Sequence, residues 1–109
     1  MNHYQVIILP SAEHDISEAY TRLAGFDEAT AVRWYNRLLE VIFSLDTFPE
    51  RAPFAPESKS FNRAIRQVCH GRRQHKYRIL FTVTEQAVHI LHVRHGARLA
   101  LGETESAEE

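Results

Sequence analysis

Ten of the thirteen Lys and Arg residues lie between positions 51 and 98, where only Glu57 and Glu85 oppose them, and five of the seven histidines (His70, His75, His89, His92, His95) share that stretch. A guanidinium offers a planar fork to two phosphate oxygens and stays charged at any physiological pH. An imidazole, with an ordinary pKa of ~6.5, moves protons near neutrality. Together these groups make a surface suited to a polyanion. Arg72, Arg73 and Lys76 read as nonspecific phosphate contacts in one loop. Residues 1 to 50 are the reverse, with three cations against eight acids, and Glu103, Glu105, Glu108 and Glu109 bring the formal net charge to −1. The small net charge therefore conceals a strong dipole. No Cys/His spacing meets a zinc pattern. His70 and His75 flank a Gly-Arg-Arg turn, where solvation in a loop accounts for them, and His92 and His95, three apart on a strand, point to opposite faces. Cys69 is the sole cysteine, which excludes an intrachain disulfide, and it reads as a small buried residue.

Elements that could position these groups follow from local spacing. Tyr4 to Leu9 is a β-branched run stopped by Pro10, an opening strand. Ser11 is placed to cap a helix, Glu13 and Asp15 lie in its first turn, and Ala12, Ile16, Ala19, Tyr20 and Leu23 recur at helical spacing up to Gly25. Asp27 can cap a second helix, whose stripe is Ala31, Trp34, Leu38, Val41, Ile42 and Leu45. About one turn's worth of residues between the two predicts an antiparallel hairpin. Trp34 is in register with the core stripe, and Tyr35 beside it is a candidate docking residue. Pro49, Pro53 and Pro56 mark a linker that is neither helical nor a central strand. Ala64 to Cys69, Tyr77 to Thr84 and Ala87 to Arg94 read as strands, the last two joined at Glu85-Gln86. On the middle one, Tyr77, Ile79, Phe81 and Val83 share the core face, and Arg78 begins the other.

The length, 109 residues at 44% hydrophobic, allows one core and not two. We therefore expect a single α+β domain over residues 1–101, with a strand, a two-helix hairpin and a three-stranded antiparallel meander. The helices lie on one sheet face, and the other is open and basic. Residues 102–109 read as an acidic, disordered tail. No apolar run approaches the ~20 residues that span a bilayer, and no signal-peptide core is present, so a cytoplasmic protein is expected.

The element order, the segments SLDTFPERAP (Ser44 to Pro53), YRILFTV (Tyr77 to Val83) and VHILHVRHGAR (Val88 to Arg98) resemble the RelE/ParE superfamily of bacterial type II toxins, of the plasmid-stabilisation type. The resemblance covers roughly residues 4 to 100. It implies a growth-arresting toxin held inactive by a cognate antitoxin that wraps an extended or helical segment over it. It implies one of two mechanisms: mRNA cleavage on the ribosome without a metal or other cofactor, as in the RelE-like branch, or poisoning of DNA gyrase, as in the ParE-like branch. A catalytically silent module that only binds its antitoxin is a third possibility. Fold does not choose among them.

Metal-free RNA cleavage needs a base for the attacking 2′-hydroxyl, cations for the charge growing on phosphate, and an acid for the leaving 5′-oxygen. The resemblance assigns Arg78 to an active-site arginine and Arg66 to a basic position on the preceding strand. Arg94 and Arg98 are candidates for a further arginine, Arg98 as a catalytic group and Arg94 as a nucleic-acid contact. His95 is the candidate acid or base. No tyrosine follows Tyr77, so the carboxy-terminal tyrosine of many RelE-like nucleases is missing. The gathering of cations and histidines gives a slight preference for mRNA cleavage over gyrase. With Arg78 on a solvent face, Arg78→Ala is expected to leave the fold intact.

Overall fold

The computed structural model describes residues 3–71 and 76–96. The opening strand β1 (Gln5–Ile8) leads into α1 (Pro10–Phe26) and α2 (Glu28–Phe43); then come two 3-10 turns (Ser44–Asp46 and Pro49–Arg51), the single-turn helix α3 (Glu57–Ser60), and strands β2 (Arg66–His70), β3 (Tyr77–Val83) and β4 (Ala87–His95). The strands form one sheet in the order β1-β4-β3-β2. β1 runs parallel to β4, and the other neighbours are antiparallel, as a meander requires.

Helix α1 starts two residues earlier than its sequence signals predict. Leu9 is the cap and Pro10 the first helical residue, a position where a missing N–H costs nothing. The hairpin joint is tighter than one turn, because Asp27 alone separates the helices. It ends α1, with its N–H on the Leu23 carbonyl, and caps α2. The Thr30 hydroxyl donates to its carboxylate at 2.5 Å and is the main cause of an Asp27 pKa below the usual carboxylate value. Tyr20 and Tyr35, at nearly equal distances along the chain from this joint, meet edge to face with centroids 5.9 Å apart, as antiparallel helices demand.

The main core lies between this hairpin and the sheet. Ala12, Ile16, Ala19 and Leu23 of α1 and Ala31, Trp34, Leu38 and Ile42 of α2 pack on Tyr77, Ile79, Phe81, Val88, Ile90 and Val93. β4 does not alternate cleanly. Phe81 pairs with Ile90 while Leu80 pairs with His92, so Leu91 is an extra residue, a β-bulge. The bulge inverts the phase of the strand: Val88 and Ile90 are buried before it, and Val93 after it. It also puts Arg94 opposite Arg78 and His95 opposite Tyr77.

The linker is more structured than its prolines suggest. Pro49 opens a 3-10 turn, Phe54 makes an isolated bridge to Arg66, and Pro56 precedes α3. Proline stops a helix from entering but is well suited to starting one. This segment lies across the second sheet face, where Ala55, Ile65 and Leu80 are buried with Leu91 against them. The expectation of a wholly open basic face is thus corrected, because a second, smaller core covers part of it. Among the described residues no helix is long and apolar enough to cross a membrane. The expected tail at 102–109 lies outside the described residues, as do Arg72, Arg73, His75 and Arg98.

Candidate functional site

Arg78 stands at the start of β3 on the face away from the hairpin, as alternation predicts, but it is not solvent-facing. Its side chain is only 12% exposed, and the Glu57 carboxylate opposite it is 0% exposed. Nη1 donates to Glu57 Oε1 at 3.1 Å and to Gln67 Oε1 at 2.8 Å, and Nη2 donates to Glu57 Oε2 at 2.7 Å. This is the fork geometry that would grip a phosphate, and a carboxylate of the same chain fills it. One turn of helix after Pro56 delivers Glu57 to that place. The expectation of Arg78 as an exposed cation is therefore corrected. The hint in the sequence was Glu57 itself, one of only two acids in a stretch of ten cations.

Arg66 is likewise engaged. Its Nη1 donates to the carbonyls of Glu50 and Ala52 at 3.1 and 2.6 Å, and its guanidinium lies 4.2 Å from the Phe54 ring centroid. It ties the linker to β2 and stacks on an aromatic face, a use to which arginine is well fitted. His95 closes β4 rather than following it, and meets Tyr77 edge-on at 5.1 Å. The Tyr77 hydroxyl accepts from Arg22 Nη1 at 3.4 Å. His95 thus belongs to the hairpin side of the sheet, whereas Arg78 and Arg94 form a cross-strand pair of the other register. The sheet separates the candidate acid/base from the candidate phosphate-binding arginine. Lys76 is exposed just before β3, its carbonyl accepting the Gly96 N–H at 2.7 Å.

Other groups meet where spacing could not show it. Asp15 of α1 has its Oδ2 2.8 Å from His92 Nδ1, and the same oxygen accepts the Val93 N–H at 3.0 Å. The Ser11 hydroxyl donates to the Leu91 carbonyl at 2.7 Å. β1 pairs with β4 only as far as Ile90, so beyond it the first turns of α1 supply the partners that a strand would have supplied. Ser11 and Asp15, legible as a cap and a dipole acid, serve the edge of the sheet.

His70, the last residue of β2, is half-buried instead of loop-solvated, with Nε2 3.3 Å from the Trp34 carbonyl. Burial lowers its pKa from 6.5, helped by Arg37 and opposed by the Trp34 hydrogen bond. The folded chain then holds fewer protons than the unfolded one below that value, so stability falls as pH drops from 6.5 through the depressed folded pKa. His70→Gln is expected to flatten this part of a curve of thermal midpoint against pH; an unchanged slope would refute the assignment. Cys69 is exposed, contrary to expectation: it lies on the edge strand β2, paired with Arg78 on the face away from the main core. A thiol reagent should modify it in native protein nearly as fast as in urea, and protection by folding would contradict that placement.

Trp34 is core, as its register predicts, and Tyr35 is exposed. Tyr35 lines a groove of about 490 Å³ with Ile8, Ile16, Tyr20, Val32 and Leu39, between α1 and α2. Among the described residues no group of three or more His, Cys, Asp and Glu could hold a metal ion.

The family model described as the ParE toxin of the type II toxin-antitoxin system parDE matches residues 6–100. The chain belongs to the ParE toxin family. Solved structures similar to this ParE-family chain include the chromosomal ParDE toxin-antitoxin system from P. aeruginosa, at TM-score 0.69 and 15% identity over 85% of this chain and 96% of that one. The toxin-antitoxin complex RelBE2 from Mycobacterium tuberculosis is similar at TM-score 0.57 and 23% identity, over 90% and 97% of the two chains. At these identities the two structures speak for the shared fold. No curated protein matches the sequence. The family makes this ParE-type chain the toxin component of a type II toxin-antitoxin system.

Proposed function

We propose that this ParE-family toxin arrests growth by acting on DNA gyrase, and that its cognate antitoxin neutralises it by laying an apolar helix or extended segment along the groove beside Tyr35. The observation that carries the first part is the occupation of the Arg78 fork by Glu57, with His95 on the opposite side of the sheet. Cleaving RNA without a metal requires cation and proton-transfer groups around one phosphate. Here one arginine is neutralised, another holds the linker, and the histidine belongs to the other register. Gyrase poisoning, the mode implied for the ParE-like branch, needs a docking surface and no such constellation. For the antitoxin, the exposed Tyr35 and Val32 and the half-buried Ile8 and Tyr20 offer apolar area of the kind that helix-in-groove recognition uses.

Ribosome-dependent mRNA cleavage is the second reading, favoured by the ten cations and five histidines of the carboxy-terminal half. Expression without antitoxin, with protein and DNA synthesis pulse-labelled separately within minutes, separates the two. DNA synthesis should stop first, and purified protein should block supercoiling by gyrase. Normal supercoiling at excess protein, with translation stopping first, would overturn the gyrase reading.

A further inference from the structure

Phe48 has a backbone that bulky residues avoid, at φ 48° and ψ 54° in the left-handed region, and its side chain is 70% exposed. The conformation is built and not incidental. Arg51 Nη1 donates to the carbonyls of Thr47 and Phe48, its Nη2 lies 3.3 Å from Ser44 Oγ, and Pro49, immediately after Phe48, is fully buried. At the other flank of the same 3-10 turn, Phe54 is 56% exposed, with the Arg66 guanidinium on its ring. Two apolar rings are thus presented to solvent, each beside an arginine that braces the backbone of the turn. A strained residue with an exposed apolar side chain adds nothing to folding, and such positions concentrate where a partner supplies the missing contact. Because the turn is already held in place, binding would order little, which is what an interface anchor requires.

The charge around the rings indicates the partner. Residues 46–66 carry Arg51, Lys59, Arg63 and Arg66 against Asp46, Glu50 and Glu57, and Glu57 is neutralised by Arg78. The surroundings are therefore positive. Arg51 and Arg66 direct N–H groups at backbone carbonyls beside exposed aromatic rings, and positive charge set against apolar surface suits a protein pocket bordered by carboxylates.

We propose that the turn from Thr47 to Phe54 is the anchor by which the toxin docks on its target protein, with Phe48 entering an apolar pocket bordered by carboxylates. The inference rests on the toxin reading above but not on gyrase being the target. The antitoxin keeps the groove between α1 and α2.

The test uses the full chain, expressed alone for toxicity and with its antitoxin for purification, as wild type, Phe48→Gly and Phe48→Asn. Glycine and asparagine accept a positive φ, and no buried packing is lost, so the thermal midpoints should equal or exceed that of the wild type. Antitoxin affinity should be unchanged, while roughly thirty-fold more protein should be needed for the same growth arrest, the loss expected of an interface anchor. Full toxicity of Phe48→Gly would overturn the proposal. So would a lowered thermal midpoint in both variants, which would make Phe48 a packing residue, or a parallel loss of antitoxin binding, which would give the turn to the antitoxin. If wild type arrests growth yet leaves supercoiling intact, the gyrase reading fails, and the selective loss of arrest in Phe48→Gly still supports docking on another protein. A wild type that arrests nothing overturns both.

Discussion

Arg78→Ala is expected to destabilise the toxin by about 3–5 kcal/mol, because it strands a carboxylate inside the protein. Glu57 is fully buried and accepts two hydrogen bonds from that guanidinium, one at each carboxylate oxygen. Removing the arginine takes from a buried carboxylate the cation that both of its oxygens contact. For a domain of this size the thermal midpoint should fall by roughly 20 °C. The pair itself need not be worth that much, since replacing both members by apolar residues of similar volume is often neutral. Arg78→Met with Glu57→Leu should accordingly recover most of the loss, and the coupling from a double-mutant cycle should be large. An Arg78→Ala protein as stable as wild type would refute the ion pair. The consequence for function is direct. Loss of toxicity in Arg78→Ala would report unfolding as readily as chemistry, so the informative variant is the folded double substitution. If it still arrests growth, the guanidinium has no part in the reaction.

Asp15→Ala is expected to cost about 2 kcal/mol, far more than a first-turn helix acid would, since one carboxylate oxygen serves two groups of β4. The Val93 N–H would lose its acceptor just where β1 has ended and no strand can replace it, and His92 would lose the group that fixes its ring. Asp15→Asn keeps an acceptor for Val93 and should cost clearly less. Chemical denaturation of the two variants decides this. A loss of a few tenths of a kcal/mol in Asp15→Ala, the size of a helix-dipole effect, would show that the contact with β4 carries no weight. The same experiment bears on toxicity, because any displacement of the end of β4 moves His95.

Local spacing determined a great deal of this molecule. The apolar stripe from Ala31 to Leu45 required a helix with Trp34 inside, and Trp34, Leu38 and Ile42 are buried on it. Alternation along the strand expected from Tyr77 to Thr84 separated Ile79 and Phe81 from Arg78, and the strand observed starts at Tyr77 and ends one residue earlier, at Val83. These signals are readable because helix and strand periods are properties of consecutive residues. The order of elements, with the segments that resemble RelE/ParE toxins, was sufficient to indicate the family.

What governs the site was decided only in three dimensions. Glu57 and Arg78 are separated by twenty-one positions, and Asp15 and His92 by seventy-seven, and no periodicity links such pairs. Strict alternation from Val88 would have carried Arg94 to the hairpin side and His95 to the other; the extra residue at Leu91 reverses both, and a bulge forms only when β4 is matched against β3. The prolines of the linker stated where chain regularity stops, not that the segment would fold back over the sheet and close the fork of Arg78. Charge can be counted along a sequence, but whether a given arginine faces a phosphate or a carboxylate of its own chain depends on which surfaces the packing of apolar residues such as Ala55, Ile65 and Leu80 brings together.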